Sequence, residues 1–248
     1  MRIRKTIFGR VKLQPNLFIG GVSATINTAA ILATRLGVNQ SIIKGFRVIG
    51  LNIECTIIAN YFVGTSAFQN DTSISYYKDD GQFAKGISNF CFSGSSNLSI
   101  LQIYGLTSFS AGGFPKISGT KIKNLLFPNA INTNQASVGN KDIINNLLLE
   151  TFEAPLCNYS TGNEGLSNLP LLKYIDLRVT TRFGRSNQPN PRGGLFFPLM
   201  ANNGLIKVHE GCLTVDNGGI DINLQKLINR NWTVEFYNNA GIITSTIN

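Results

Sequence analysis

Catalysis by proton transfer would have to use His209, the chain's one histidine, which sits in the run LIKVHEG. No G-x-S-x-G places a nucleophilic serine beside it, so His209 reads as a hydrogen-bonded structural residue at a strand end. Cys55, Cys91, Cys157 and Cys212 are far apart and form no C-x-x-C pair; with one histidine they give no zinc-ligand spacing and read as buried thiols. Neither G-x-x-x-x-G-K-S/T nor G-x-G-x-x-G occurs. Glycoside hydrolysis needs only two carboxylates, and Glu150 and Glu153 in LLLETFEAP are the nearest pair on one strand. Three positions apart on an extended chain, they face opposite sides and do not converge. Asp79 and Asp80 in KDDGQ read as turn residues. The expectation is therefore a non-enzymatic protein with no catalytic set, no metal site and no cofactor.

The charge pattern points to contact rather than catalysis. The net charge is +9, yet residues 1–53 hold eight basic side chains and no acid, while the remaining 14 basic groups face all 13 acids. Within MRIRKTIFGRVK, the cations Arg2, Arg4, Lys5, Arg10 and Lys12 alternate with Ile3, Ile7, Phe8 and Val11. Such a strip can insert apolar groups while its charges meet acids, so the expected partner is an acidic protein surface. Nucleic acid is disfavoured, because no sheet-borne stacking aromatics and no Arg/Lys-Gly-Phe signature accompany the strip. Lys12, Gln14, Pro15 and Asn16 interrupt any apolar stretch after the basic start, so export through a signal peptide is not expected. Residues 17–36 are long enough to cross a bilayer but contain Gly20, Gly21, Ser23, Asn27, several threonines and Arg35; they read as a soluble segment.

The elements that must position these groups recur. SISYY (73–77), LSILQIY (98–104), IKNLLFP (122–128), LLETFEAPL (148–156), LKYIDLRV (172–179), LIKVHEG (205–211) and WTVEFY (232–237) are all strand-like. Taking Tyr76, Ile103, Phe127, Ala154, Leu177, Val208 and Phe236 as equivalent gives spacings of 23 to 31 residues. Several runs share L-x-x-L-x-L, as in Leu98, Leu101, Ile103 and in Leu172, Ile175, Leu177. The last two of each trio point to one face of a strand, and the first lies in the turn before it. AFQNDTS (67–73), CFSGSSN (91–97) and GFPKISGT (113–120) precede strands, with GLSNLP (165–170) a looser version. Their Phe inserts on the return side of a coil, and the polar cluster turns the chain back. A single coil cannot bury its apolar face alone, so consecutive coils must stack as a parallel β-solenoid. A β-sandwich is the alternative, but it usually has denser turns and no repeated aromatic before each strand.

This pattern resembles the leucine-rich repeats of the BspA-like type, found in bacterial surface proteins and in virion proteins of tailed phages. Phe68, Phe92 and Phe114 with Leu98, Leu101, Ile103 and Phe127 carry the likeness, which covers residues 65–180 well and weakens beyond. The resemblance implies a mainly β, leucine-rich-repeat-like solenoid used for adhesion or scaffolding. The first 60 residues do not fit the repeats. TINTAAILATRLG (25–37) reads as a short helix capped by Thr25 or Asn27 and stopped at Gly37; FRVIGLNIECTIIANYF (46–62) reads as one or two capping strands. A basic module at 1–62 before a solenoid at 63–248 is similar to fibre or decoration proteins of crAss-like phages.

That likeness implies a virion location, docking on other virion proteins through the N-terminus, and display of the repeats toward host-surface glycans. Such fibres are commonly trimeric, which implies a homotrimer, although no heptad pattern supports one. Glycan-binding candidates are Tyr159 in one rim loop and Arg182, Arg185 and Arg192 in a second, RFGRSNQPNPRGGLFFP (182–198), which interrupts the period. A bacterial surface adhesin and a polysaccharide depolymerase are the rival readings.

Overall fold

A computed structural model describes residues 29–49, 52–57, 61–63, 66–72, 74–79, 84–87, 90–109, 117–131, 143–158, 166–183, 200–214 and 218–248. In chain order these form α1 (Ala29–Leu36), β1 (Ile43–Ile49), β2 (Asn52–Ile57), β3 (Tyr61–Val63), β4 (Tyr76–Asp79), β5 (Ala84–Ile87), β6 (Ile100–Gln102), β7 (Ser108–Phe109) and β8 (Ile117–Ser118). There follow β9 (Asn124–Leu126), β10 (Ile143–Ile144), β11 (Thr151–Glu153), β12 (Leu166–Ser167), β13 (Tyr174–Leu177), β14 (Leu205–His209), α2 (Ile222–Ile228), β15 (Thr233–Tyr237) and β16 (Ile243–Ile247).

The strands stack in parallel, giving a β-solenoid. β2 pairs with β4 and β4 with β6; farther along, β9, β11, β13, β14 and β15 form one continuous parallel ladder. Between the two groups, the Lys121 amide donates to the Leu98 carbonyl at 2.8 Å and the Lys121 ammonium to Asn97 Oδ1 at 3.0 Å. Register lines up Leu125, Phe152, Ile175, Ile206 and Val234, each fully buried or nearly so. Two residues on, Leu177, Val208 and Phe236 form a second inward column that Phe127 and Ala154 extend. Burying one such side chain contributes about 1.5–3 kcal/mol, and only a neighbouring coil supplies the surface that does it.

The first expected coil is shifted. Tyr76 pairs with Ile100, so Asp79 rather than Tyr76 falls in line with Ile103. Tyr76 points outward, half-buried, and donates to Gln102 Oε1 at 3.2 Å, while Tyr77 takes the core position beside Leu101. The tandem Tyr76–Tyr77 offers two registers, and the inward choice for Tyr77 lets its ring meet Phe68 and Phe92 at 5.3 and 5.6 Å. Phe68 and Phe92 stack at 5.4 Å with planes 9° apart, which is the repeated aromatic on the return side. Phe114 lies outside the described residues. Short parallel sheets, β3-β5-β7 and β8-β10-β12, run along the other sides of the coils.

Each coil turns into its main strand at a residue of left-handed backbone. Asn70, Gly94, Gly119, Asn145, Asn168, Asn203 and Asn231 all have φ between 53° and 76°. Only glycine and asparagine adopt that conformation readily, which is why the polar clusters recur. The residue after each turns inward, save Gly204, which has no side chain. Asp71, Ser95, Thr120 and Asn146 are buried there, and their side chains bond the backbone of their own or a neighbouring coil. Ser95 Oγ donates to the Phe68 carbonyl at 2.6 Å; Asn146 Oδ1 accepts from the Thr120 amide at 2.9 Å while its Nδ2 donates to the Ile117 carbonyl at 2.8 Å.

The ends differ from the middle. α1 buries Leu32, Ala33 and Leu36, carries Arg35 in its last turn and stops at Gly37, whose φ is 70°. Its expected caps, Thr25 and Asn27, lie outside the described residues. β1 and β2 form an antiparallel hairpin that adjoins the first parallel strands, and β16 closes the other end antiparallel to β15. α2, which the strand repeat does not announce, is capped by Asp221 and packs Leu224 and Leu227 inward.

Candidate functional site

Of the residues singled out by sequence, Arg2, Arg4, Lys5, Arg10, Lys12, Tyr159, Arg185 and Arg192 lie outside the described residues. Arg182 is half-buried beside Phe183, whose buried ring ends the described part of that rim. The Phe183 amide donates to Asp221 Oδ2 at 2.7 Å and its carbonyl accepts from Asn223 Nδ2 at 3.4 Å, so the cap of α2 also holds the root of the loop. His209 ends β14: its Nδ1 accepts from the Gly211 amide at 2.9 Å, leaving Nε2 to donate to Asn239 Oδ1 at 3.0 Å. Glu150 lies 3.6 Å from Lys123, and Glu153 stands on the outward side of β11.

The described polar groups converge instead on the outward face of β13, β14 and β15. Alternation on a strand sends Ile175, Ile206 and Val234 inward, so their neighbours must face out. One outward row reads Asn124, Thr151, Tyr174, Leu205, Thr233 across successive strands; the next reads Leu126, Glu153, Asp176, Lys207, Glu235. The Lys207 ammonium sits 5.4 Å from the Tyr174 ring centre and 5.9 Å from that of Tyr237. The Arg178 guanidinium lies 5.4 Å from the Tyr237 ring from its own side and grips Asp176, donating from Nε to Oδ1 at 3.0 Å and from Nη2 to Oδ2. The Tyr237 hydroxyl donates to Glu235 Oε2 at 2.7 Å. Two tyrosines, two cations and two carboxylates thus interlock on the outward side of the strands, Asp176 and Tyr237 being themselves buried, with Glu153 at the edge.

The charges are mutually set. The hydrogen bond to Asp176 raises the Arg178 pKa, outweighing its partial burial. Burial pulls Lys207 down, but its bond to Tyr174 and the charges of Tyr174, Tyr237 and Asp176 raise it further than burial lowers it. Burial, then the bond to Glu235, push the Tyr237 phenol up, against the lowering effect of Lys207. Both amino-acid cations are fully charged and the phenol fully protonated at neutral pH, so the surface is a fixed pattern of donors and acceptors.

Among the described residues, no cluster of three metal-ligating side chains occurs and no helix is long and apolar enough to cross a membrane. Comparison with family models, with curated proteins and with solved structures finds no match. Sequence reading passed over Tyr174, Lys207 and Tyr237 because they are about thirty residues apart and only strand register joins them. The signal was available in outward parity: Tyr174 and Asp176 flank the inward Ile175, and Glu235 and Tyr237 flank the inward Phe236.

Proposed function

We propose that this chain is a non-enzymatic virion structural protein, a fibre or decoration protein, which docks on other virion proteins through its basic N-terminus and displays a stiff repeat stack for adhesion to the host surface. The observation that carries the reading is the unbroken parallel ladder from β9 to β15, closed by β16 and bearing an ordered outward face of Tyr174, Arg178, Lys207 and Glu235 held by the buried Asp176 and Tyr237. A stack whose coils share one core holds that face rigid, and rigidity lowers the entropic cost of binding. The BspA-like pattern in Phe68, Phe92, Leu98, Leu101, Ile103 and Phe127 supports the virion assignment, and a homotrimer is the assembly such fibres imply. The Arg2, Arg4, Lys5, Arg10 and Lys12 strip meets an acidic surface on the partner.

The test is assembly of particles with the full chain and with residues 1–12 removed, followed by electron microscopy and quantitation of the incorporated protein. The expected outcome is that the truncated chain folds, shown by an unchanged circular dichroism melt, yet is missing from particles. Particles carrying a full complement of truncated chain overturn the anchoring role.

A further inference from the structure

We infer that the outward face of β13–β15 is a carbohydrate site that takes a neutral, extended glycan laid across the strands, with Tyr174 as the stacking platform and Lys207 and Glu235 as the hydroxyl ligands. The inference rests on the adhesive role proposed above and names its ligand class.

Three observations carry it. The ring of Tyr174 is half-buried in the row Thr151, Tyr174, Leu205 and has the shorter Thr151 on one side, so it projects beyond that neighbour. A flat, rigid amphipathic ring suits the C–H face of a pyranose and loses little conformational entropy on binding. Next to it, in the row Glu153, Asp176, Lys207, Glu235, the Lys207 donor stands between carboxylate acceptors on the two neighbouring strands. Strands lie about 4.8 Å apart, close to the length of one sugar unit in an extended chain, so successive sugars meet successive side chains. Sugar hydroxyls both donate and accept, and a carboxylate beside an ammonium satisfies both roles with charge-assisted bonds.

The charge decides between neutral and acidic glycans. Glu153, Asp176 and Glu235 stand against Arg178 and Lys207, and Arg178 is already committed to Asp176. With Arg178 and the buried Asp176 committed to each other, an anionic polymer would meet two carboxylates, Glu153 and Glu235, against the one cation Lys207. A neutral polyhydroxyl chain has no such penalty. Lys207 is held in place by the two rings it touches, and its ammonium keeps donors for hydroxyl oxygens.

The test is isothermal titration calorimetry of the full chain with neutral hexasaccharides (cellohexaose, laminarihexaose, chitohexaose) and with acidic oligogalacturonate, at low and high salt. The expected result is binding of at least one neutral hexamer with an affinity unmoved by salt. Tyr174→Ala and Lys207→Met each weaken it about tenfold or more, equivalent to about 1.4 kcal/mol; Lys226→Ala, on α2, leaves it unchanged. Tyr174→Phe retains most of the affinity, because it keeps the ring. Heat from none of the neutral hexamers, or binding confined to oligogalacturonate and abolished by salt, overturns the inference. So does binding that survives both Tyr174→Ala and Lys207→Met. Particle incorporation reports separately: loss of glycan binding alone removes the ligand and leaves the display role, whereas truncated chains that fill particles remove the anchoring role and leave the ligand.

Discussion

Asn146 serves a whole corner with one carboxamide. Its oxygen accepts from both the Thr120 amide and the Thr120 hydroxyl, at 2.9 and 2.8 Å, and its nitrogen donates to the Ile117 carbonyl. Asn146 is itself buried, so no water replaces these partners. Asn146→Ala leaves a buried N–H and a buried carbonyl unmatched, and we predict a loss of about 1–3 kcal/mol. Urea unfolding checks it: the midpoint falls while the slope stays constant. At this scale the polar clusters were informative about kind and silent about place. CFSGSSN reads as a turn, yet its Ser95 is an interior rung, as is Asn146. His209 was readable as structural because a lone imidazole at a strand end has backbone neighbours to bond. Tyr174 and Lys207 were not readable as neighbours, since nothing local to either specifies a contact across coils.

The corner is the element that repeats most faithfully. Left-handed residues recur from Asn70 to Asn231, and the one long interval, Asn168 to Asn203, contains the 184–199 segment. The strand runs were legible through their recurring apolar positions, which gave the columns through Phe127, Leu177 and Val208 correctly, whereas the first strand slipped because Tyr76 and Tyr77 are chemically alike. α2 lies outside the strand period and so is not announced by it, although Asp221 before Leu224 and Leu227 is an ordinary helix start. The last corners replace hydrogen bonding by close packing. A Cβ on Gly204 would lie 2.6 Å from Trp232 Cε2 and Cζ2, and that buried indole is fixed by its bond from Nε1 to the Ala201 carbonyl at 2.7 Å. Gly204→Ala therefore forces the ring or the strand to move, at a cost of about 1–3 kcal/mol. A fall in thermal midpoint with a perturbed tryptophan emission spectrum is the expected signature; an unchanged spectrum and midpoint would show that the corner gives way freely.

Stability in a stack passes only between neighbours. Phe152 is fully buried, with Leu125 on the preceding strand and Ile175 on the following one. Phe152→Ala removes the side chain that joins the two sides of the ladder, a loss of about 3–5 kcal/mol. In a compact domain with all-round contacts that loss is shared by every element. In a one-dimensional stack it is concentrated at the altered coil and its two interfaces. Hydrogen exchange with mass spectrometry distinguishes the cases. We predict faster exchange in β9, β11 and β13, with β15 and β16 keeping their protection, because Val234 and Phe236 pack on β14 and the closing strand rather than on β11. Uniform acceleration in all strands would mean that the coils unfold as one unit. The stack would then present its outward face only while every coil is intact, rather than holding the β13–β15 surface through local damage elsewhere.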